Sequence, residues 1–324
     1  MILDNILITG ITGQDGIFLT SHLMNLNKKI NIYGVSRGNQ QTFFKNLHSI
    51  VPKANTDNIK LVNIDLKNKF EVSNLLRNIN PVQIYNLTGP SSVYESITKP
   101  ELYKELIPLY FNNLYTSCID LNIYPTFFQA SSSEMFSIEN SLPLNEKSQF
   151  NPRNPYSLAK YEVFQELNNL KNIYQWNIKT GIMFNHESEF RDVGYLFTKI
   201  IDTAISIKNG ERKTLKVGSL TYVRDWSYAG DVAEAISLIN EYSDSSDFVI
   251  GSGLGTSIEE VLDMTFSQLG LDYRKFIEVD PSLLRDGDPE IIISDPTNLK
   301  DKLGWSPKVD VEKLIQRCIS FKTI

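Results

Sequence analysis

Asn5-Ile6-Leu7-Ile8-Thr9-Gly10-Ile11-Thr12-Gly13-Gln14-Asp15-Gly16 is a short apolar, β-branched run that passes directly into three glycines spaced three apart and then into a helical pattern. The run reads as a strand and the following segment as a helix, so the glycines occupy the turn between them. Such a turn lets the backbone bend sharply and approach a pyrophosphate, whose charge is met by the N–H groups at the start of the helix. Gly10, Ile11, Thr12, Gly13, Gln14, Asp15 and Gly16 are therefore candidates to hold a dinucleotide. The same glycines would also suit a turn that serves only strand-to-helix packing.

Outward from that turn, further strands are predicted at Ile30–Val35, Lys60–Asn63, Gln83–Asn86 and Thr126–Ala130, alternating with helices at Asp15–Leu26, Lys69–Asn78 and Pro100–Leu121. Alternation of this kind builds a parallel sheet, and right-handed crossovers make it a doubly wound α/β core. After about Phe184 the alternation breaks, yet Val232–Ile239 and Phe248–Ile250 read as a late helix and strand returning to the sheet. The expected division is residues 1–185 plus about 222–252 for the dinucleotide domain, and about 186–221 plus 253–324 for a smaller, mixed α/β substrate domain.

The chain has 324 residues, 41% of them hydrophobic, which is length for about two domains and apolar content for real cores. Its net charge is −6 and it has no run of Lys or Arg, which argues against a nucleic-acid partner. The start meets acid at Asp4 without a basic region, and no apolar stretch approaches the roughly 18 residues that span a bilayer, so neither a secretory signal nor a membrane segment is expected. Cys118 and Cys318 lie far apart, with no paired cysteines and no histidine cluster. They read as small buried hydrophobes in a reducing cytoplasm, with no metal site.

Two further segments carry chemistry. Ser131-Ser132-Ser133-Glu134 follows the predicted strand at Thr126–Ala130, at the carboxyl edge of the sheet where open α/β folds bind ligands. Ser132 can donate to a sugar oxygen and Glu134 can remove a carbon-bound proton next to a carbonyl, although the same run would also make a helix-capping turn. Tyr156-Ser157-Leu158-Ala159-Lys160 sets a phenol and an ammonium one turn apart on one helix face, and the ammonium favours the tyrosinate. Asn154 and Pro155 before it form a helix start. Tyr195 and Lys199 repeat the spacing, but with no upstream serine partner Tyr195 reads as packing.

At the end of the second strand stand Val35-Ser36-Arg37-Gly38, with no Asp or Glu for a ribose hydroxyl. Arg37 favours a 2′-phosphate, hence NADP over NAD, or is a solvated surface residue. Asp65-Leu66, closing the third strand, offers a carboxylate and a backbone group to adenine, or Asp65 is a turn residue.

Gly10-Ile-Thr-Gly-Gln-Asp-Gly16, Ile84-Tyr-Asn-Leu87, Phe128-Gln-Ala-Ser-Ser-Ser-Glu134, Pro155-Tyr-Ser-Leu-Ala-Lys160, Phe184-Asn-His-Glu-Ser188, Arg224-Asp-Trp226 and Phe248-Val-Ile250 together resemble the GDP-mannose 4,6-dehydratase family of the extended short-chain dehydrogenase/reductase superfamily. The resemblance runs nearly end to end. It implies a Rossmann fold, a redox-neutral dehydration of a GDP-linked sugar, tightly held NADP and a homo-oligomer, dimer or tetramer. Tyr156 would take the C4 hydroxyl proton with Ser132 and Lys160 in support, and Glu134 the C5 proton as water leaves C6. Thr12, Asp15, Asp65, Leu66, the Leu87–Ser91 loop, His186 and Arg191 would touch the cofactor. Ser91, Ser132, Asn185, Lys199, Arg224 and Arg285 would face the nucleotide sugar. A related epimerase, 4-dehydrogenase or 4-keto reductase on a GDP-hexose or GDP-heptose would use many of the same residues.

The chain departs from the family at Ser132, where threonine is usual, at Ser137 and Gly38, where glycine and arginine are usual, and at Glu189-Phe-Arg-Asp-Val-Gly194, which replaces a more basic run. The last two changes bear on cofactor and subunit contacts.

Overall fold

The computed structural model describes residues 3–26, 29–53, 55–284 and 287–323. In chain order the first half contains β1 (Asp4–Thr9), α1 (Gln14–Asn25), β2 (Ile30–Val35), α2 (Gln40–Ile50), β3 (Ile59–Val62), α3 (Lys69–Ile79), β4 (Gln83–Asn86), α4 (Val93–Thr98), α5 (Pro100–Asp120), β5 (Thr126–Ser132), α6 (Pro155–Tyr174) and β6 (Ile178–Met183). The second half adds β7 (His186–Glu187), α7 (Leu196–Lys208), β8 (Leu215–Val217), β9 (Val223–Asp225), β10 (Ser227–Tyr228), α8 (Ala229–Glu241), β11 (Asp247–Ile250), β12 (Gly255–Ser257), α9 (Ile258–Gln268), β13 (Ile277–Val279), β14 (Ile291–Ile292), α10 (Thr297–Leu303) and α11 (Val311–Thr323).

Seven strands form one parallel sheet in the order β11-β6-β5-β4-β1-β2-β3. From β1 the chain moves outward one way through β2 and β3, then restarts at β4 and moves the other way. The switch between β1 and β4 opens a crevice at their carboxyl ends, where such folds bind ligands. Smaller sheets, β12-β9-β14, β13-β8 and β10-β7, lie in the second half of the chain.

Alternation along each strand distributes side chains to two cores. Ile6, Ile8, Tyr85 and Phe128 enter a cluster with α1 and α8, while Leu7, Ile84 and Phe127 enter one with α3, α5 and α6. Cys118 and Cys318 are buried, and burial pushes both thiols up to about 12, so they pack as apolar groups. Among the described residues no helix is long and apolar enough to cross a membrane.

The doubly wound sheet matches the sequence reading, with instructive differences. β5 runs on to Ser132, so Ser131 and Ser132 belong to the strand instead of following it. The late helix extends beyond Val232–Ile239 at both ends. Among the elements that were not anticipated, α2 and β6 belong to the doubly wound core. α2 is capped by Asn39, whose side chain accepts from Gln41 and Thr42 N–H. β6 is disguised by a lysine and a glycine in a central strand. Lys179 is wholly buried, yet its ammonium donates to the Asn240 carbonyl near the end of α8, a favourable place for a cation. Gly181 is there because a Cβ would collide with Phe128 and Ile250 on the two flanking strands.

Close approach also fixes Gly16, where a Cβ would lie 2.5 Å from Ile11 Cα. Gly16→Ala is expected to destabilise the protein by ~1–3 kcal/mol, since rigid backbone must give way. A urea midpoint equal to that of the unsubstituted chain would show that the turn can move aside.

Candidate active site

The floor of the crevice is the glycine turn. Gly10 has φ of 72°, and a Cβ there would lie 3.1 Å from the Leu87 carbonyl carbon, so both its conformation and its contact with the β4 exit loop call for glycine. Its carbonyl accepts from Gly13 N–H at 3.0 Å. α1 then begins with Gly13 as its cap residue and no side-chain cap bond. The first-turn N–H groups are left without a side-chain acceptor at the cleft floor, the arrangement that accepts a pyrophosphate. The turn therefore fits a dinucleotide.

One wall is built by β5 and α6. Ser132 ends β5 and its hydroxyl accepts from Glu134 N–H at 3.2 Å, starting a short 3-10 turn. Asn154 caps α6 by accepting from Ser157 N–H at 2.8 Å, with Pro155 in the first turn. The helix start brings Tyr156 and Lys160, both buried, against the end of β5. Lys160 Nζ donates to the Ala130 carbonyl at 2.9 Å and sits 5.8 Å from the Tyr156 ring centroid. Burial pulls the Lys160 ammonium down to about 8. Burial likewise pushes the Tyr156 phenol up, against a hydrogen bond from Ser132 and the charge of Arg191 that draw it down. The phenol is thus held protonated in the chain by itself, and Lys160 spends a donor on the strand.

The opposite side is a buried polar cluster on the chain after β6. His186 Nδ1–H donates to the Phe184 carbonyl at 2.7 Å, and Nε2 lies 3.1 Å from an Asp15 carboxylate oxygen. Burial works against both charges, yet each partner's charge prevails, holding Asp15 below its ordinary range and His186 above its own. Gln14 ties the same segment to α1, donating to the His186 carbonyl and accepting from Ser188. Arg191 Nε lies 3.3 Å from Glu187 and its guanidinium stacks 3.5 Å above the Tyr195 ring centroid. The Tyr195 hydroxyl reaches across to Ser91 at 2.7 Å.

Farther out, Arg224 is held by Asp288 at 3.2 Å and donates to the Val223 and Glu290 carbonyls. Lys199 Nζ donates to the Lys216 carbonyl at 3.4 Å. Most of these side chains, though not Asn154, Ser157 or Ser188, line one cleft of about 840 Å³, which also takes in Thr12, Leu87 and Asn185. The sequence-derived candidates that line it thus include the glycine turn, Ser91, Ser132, Glu134, Tyr156, Lys160, His186 and Arg191.

Ile11, Arg37, Asp65 and Leu66 are not on that lining. Ile11 is buried beneath the turn, against the backbone of Gly16 and Gly34. Arg37 is exposed beyond β2, with a 3.4 Å contact to Tyr110. The Asp65 carboxylate accepts from Lys67 N–H, a turn role, and the Leu66 carbonyl accepts from Asn113. Arg285 lies outside the described residues. Tyr195, read as packing, instead lines the cleft. Its partner Ser91 is 104 positions away, so no local pattern marks it.

A family model described as GDP-mannose 4,6 dehydratase matches residues 7–318. The chain is 31% identical to GDP-mannose 4,6 dehydratase 2 of Arabidopsis thaliana, covering 97% of this chain and 85% of that protein. It is 28% identical to a GDP-mannose 4,6-dehydratase of Vibrio cholerae serotype O1, covering 97% and 92%. Among solved structures, a Thermus thermophilus UDP-glucose 4-epimerase in complex with NAD superposes with a TM-score of 0.82 at 22% identity, covering 98% of this chain and 99% of that one. That last likeness establishes the fold.

The buried ammonium gives a stability test. Lys160→Met keeps the volume, and the Ala130 carbonyl keeps its bond from Gln129. Because folding lowers the lysine from 10.5 to about 8, the unfolded chain binds the extra proton between those values. The variant is expected to be more stable than the parent near neutral pH, with the gap closing as pH rises from about 8 to 10.5. A lower denaturant midpoint for the variant near neutral pH would contradict this.

Proposed function

The chain belongs to the GDP-mannose 4,6-dehydratase family, and from that membership we propose that it removes water from GDP-mannose to give the GDP-linked 4-keto-6-deoxy sugar. The observation that carries this reading is the meeting of Ser132, Glu134, Tyr156 and Lys160 on one wall of the cleft whose floor is the uncapped glycine turn. A nicotinamide dinucleotide held by Gly10–Gly16 supplies a reversible hydride acceptor, so that oxidation at C4 and reduction at C6 leave no net redox change.

The chain's own residues handle the protons. Tyr156 takes the proton of the C4 hydroxyl while Ser132 hydrogen-bonds the same oxygen. Since burial holds the phenol protonated, its base form depends on cationic support, and Lys160 and Arg191 are the cations beside it. The ketone formed at C4 acidifies the C5 hydrogen. Glu134 removes that proton and returns it to the C6 hydroxyl, which leaves as water, and as C6 is reduced the proton that Tyr156 took from the C4 hydroxyl goes to C5, so that both groups end as they began. Arg224, already braced by Asp288, presents a planar fork suited to the diphosphate, and Lys199 adds positive charge at the same end.

Several finer readings belong to the same proposal. Arg37, exposed at the end of β2, favours NADP over NAD. The return of β11 to the sheet beside β6 supports the discontinuous division, with residues 1–185 and about 222–252 holding the cofactor and the remainder the nucleotide sugar. Two free, buried thiols suit a reducing cytoplasm. The assembly is a homo-oligomer, in keeping with the family resemblance.

A panel of GDP-, CDP-, UDP- and dTDP-sugars tests the activity. GDP-mannose is expected to lose the mass of water with no net change in nicotinamide absorbance. A product of unchanged mass would make the protein an epimerase, and stoichiometric NADPH consumption would make it a reductase. Glu134→Gln is expected to slow water loss by at least ~100-fold while calorimetry still records dinucleotide binding, and undiminished turnover would remove Glu134 from the mechanism. NADP is expected to bind about tenfold tighter than NAD, with Arg37→Ala narrowing the gap, and equal affinities would overturn the cofactor assignment.

A further inference from the structure

We propose that Asn154 is a positioning residue for Glu134, joining the start of α6 to the carboxylate that works on C5. The inference rests on the dehydratase reading and deepens it. Asn154 Oδ1 accepts from Ser157 N–H at 2.8 Å, capping the helix that carries Tyr156 and Lys160. Its Nδ2 donates to Glu134 Oε2 at 3.1 Å, across 20 residues of chain. The reciprocal half of the capping box, Asn154 N–H to the Ser157 hydroxyl at 3.1 Å, fixes the backbone from which the side chain springs.

The amide can be oriented only one way. A flip would turn its carbonyl against the Glu134 carboxylate and its NH2 against the Ser157 N–H, replacing two hydrogen bonds with two repulsions. The cap therefore dictates that a donor faces Glu134. Among the described residues Asn154 is the side chain that bonds the Glu134 carboxylate, which rides on a three-residue 3-10 turn at Ser133–Met135 capped by the Ser132 hydroxyl. With Oε2 engaged by Asn154, Oε1 is the oxygen left for the C5 proton. Serine or aspartate would cap the helix as well as asparagine, but neither offers an amide donor there. One side chain thus sets both the proton-handling helix and the orientation of the eliminating carboxylate.

The test separates the cap from the tether. Asn154→Ser keeps the cap and loses the donor, and Asn154→Asp keeps the cap while setting a second carboxylate against Glu134. With GDP-mannose, the serine variant is expected to lose about tenfold in kcat, with KM changed less, the size of effect expected for one charge-assisted hydrogen bond. The aspartate variant is expected to fall further. Rapid-quench mass spectrometry should reveal in both a GDP-4-keto sugar that has lost two hydrogens but no water, because oxidation proceeds while elimination lags. Circular dichroism and thermal melts should match the parent. Parental kcat in both variants, or slowed turnover without the undehydrated ketone, would reduce Asn154 to a helix cap and overturn the inference. Failure of the unsubstituted protein to dehydrate any sugar of the panel would instead strike the functional reading itself, and the inference with it.

Discussion

The hydrogen bond from the buried Lys160 ammonium to the Ala130 carbonyl pins α6 to the last turn-ward residues of β5, and the geometry of the cleft wall follows from it. Lys160 lies one helical turn beyond Tyr156, so fixing one end of that turn fixes the phenol as well. The strand end so engaged leads within two residues to Ser132 and then to Glu134. Removing an ammonium from water is unfavourable unless its donors are matched, and burial has pulled this one down to about 8. The cost is borne at the site where proton chemistry is to occur, which is where perturbed groups tend to gather.

The other side of the cleft uses the same physics in paired form. Asp15 and His186 are each disfavoured by burial, yet each supports the other's charge across the contact between α1 and β7. Glu187 and Arg191 pair one step along, where burial prevails at Glu187 and holds its carboxyl above the ordinary range, and the guanidinium is further confined by the Tyr195 ring. Two buried ion pairs in sequence hold the segment after β6 against the glycine turn. Such pairs contribute more to placement than to net stability, because desolvation offsets much of their attraction.

What could be read in the sequence is what is local. The strand, glycine turn and helix at Asn5–Gly16 announce themselves because the change of hydrophobic period and the three glycines fall within a dozen residues. The same holds for Tyr156 and Lys160 behind the Asn154-Pro155 helix start. β6 was hidden because Lys179 and Gly181 answer to partners elsewhere, the Asn240 carbonyl and the rings and methyls of flanking strands. α2 had a readable signal in Asn39 and the spacing of Phe43 and Leu47, both buried. The second hydrogen bond of Asn154 and the reach of Tyr195 to Ser91 were illegible, since only the folded chain brings those partners together. The cap at Asn154 was visible, but its consequence for Glu134 was not.

The central claim is that one cleft both oxidises and re-reduces the same sugar ring, with protons managed by Tyr156 and Glu134. GDP-mannose carrying deuterium at C4 tests it most directly, by nuclear magnetic resonance of the product after turnover with excess unlabelled substrate analogue absent. The account predicts deuterium at C6 of the 4-keto-6-deoxy sugar, with none released to solvent. Deuterium retained at C4, or recovered in water or in free reduced nicotinamide, would contradict it.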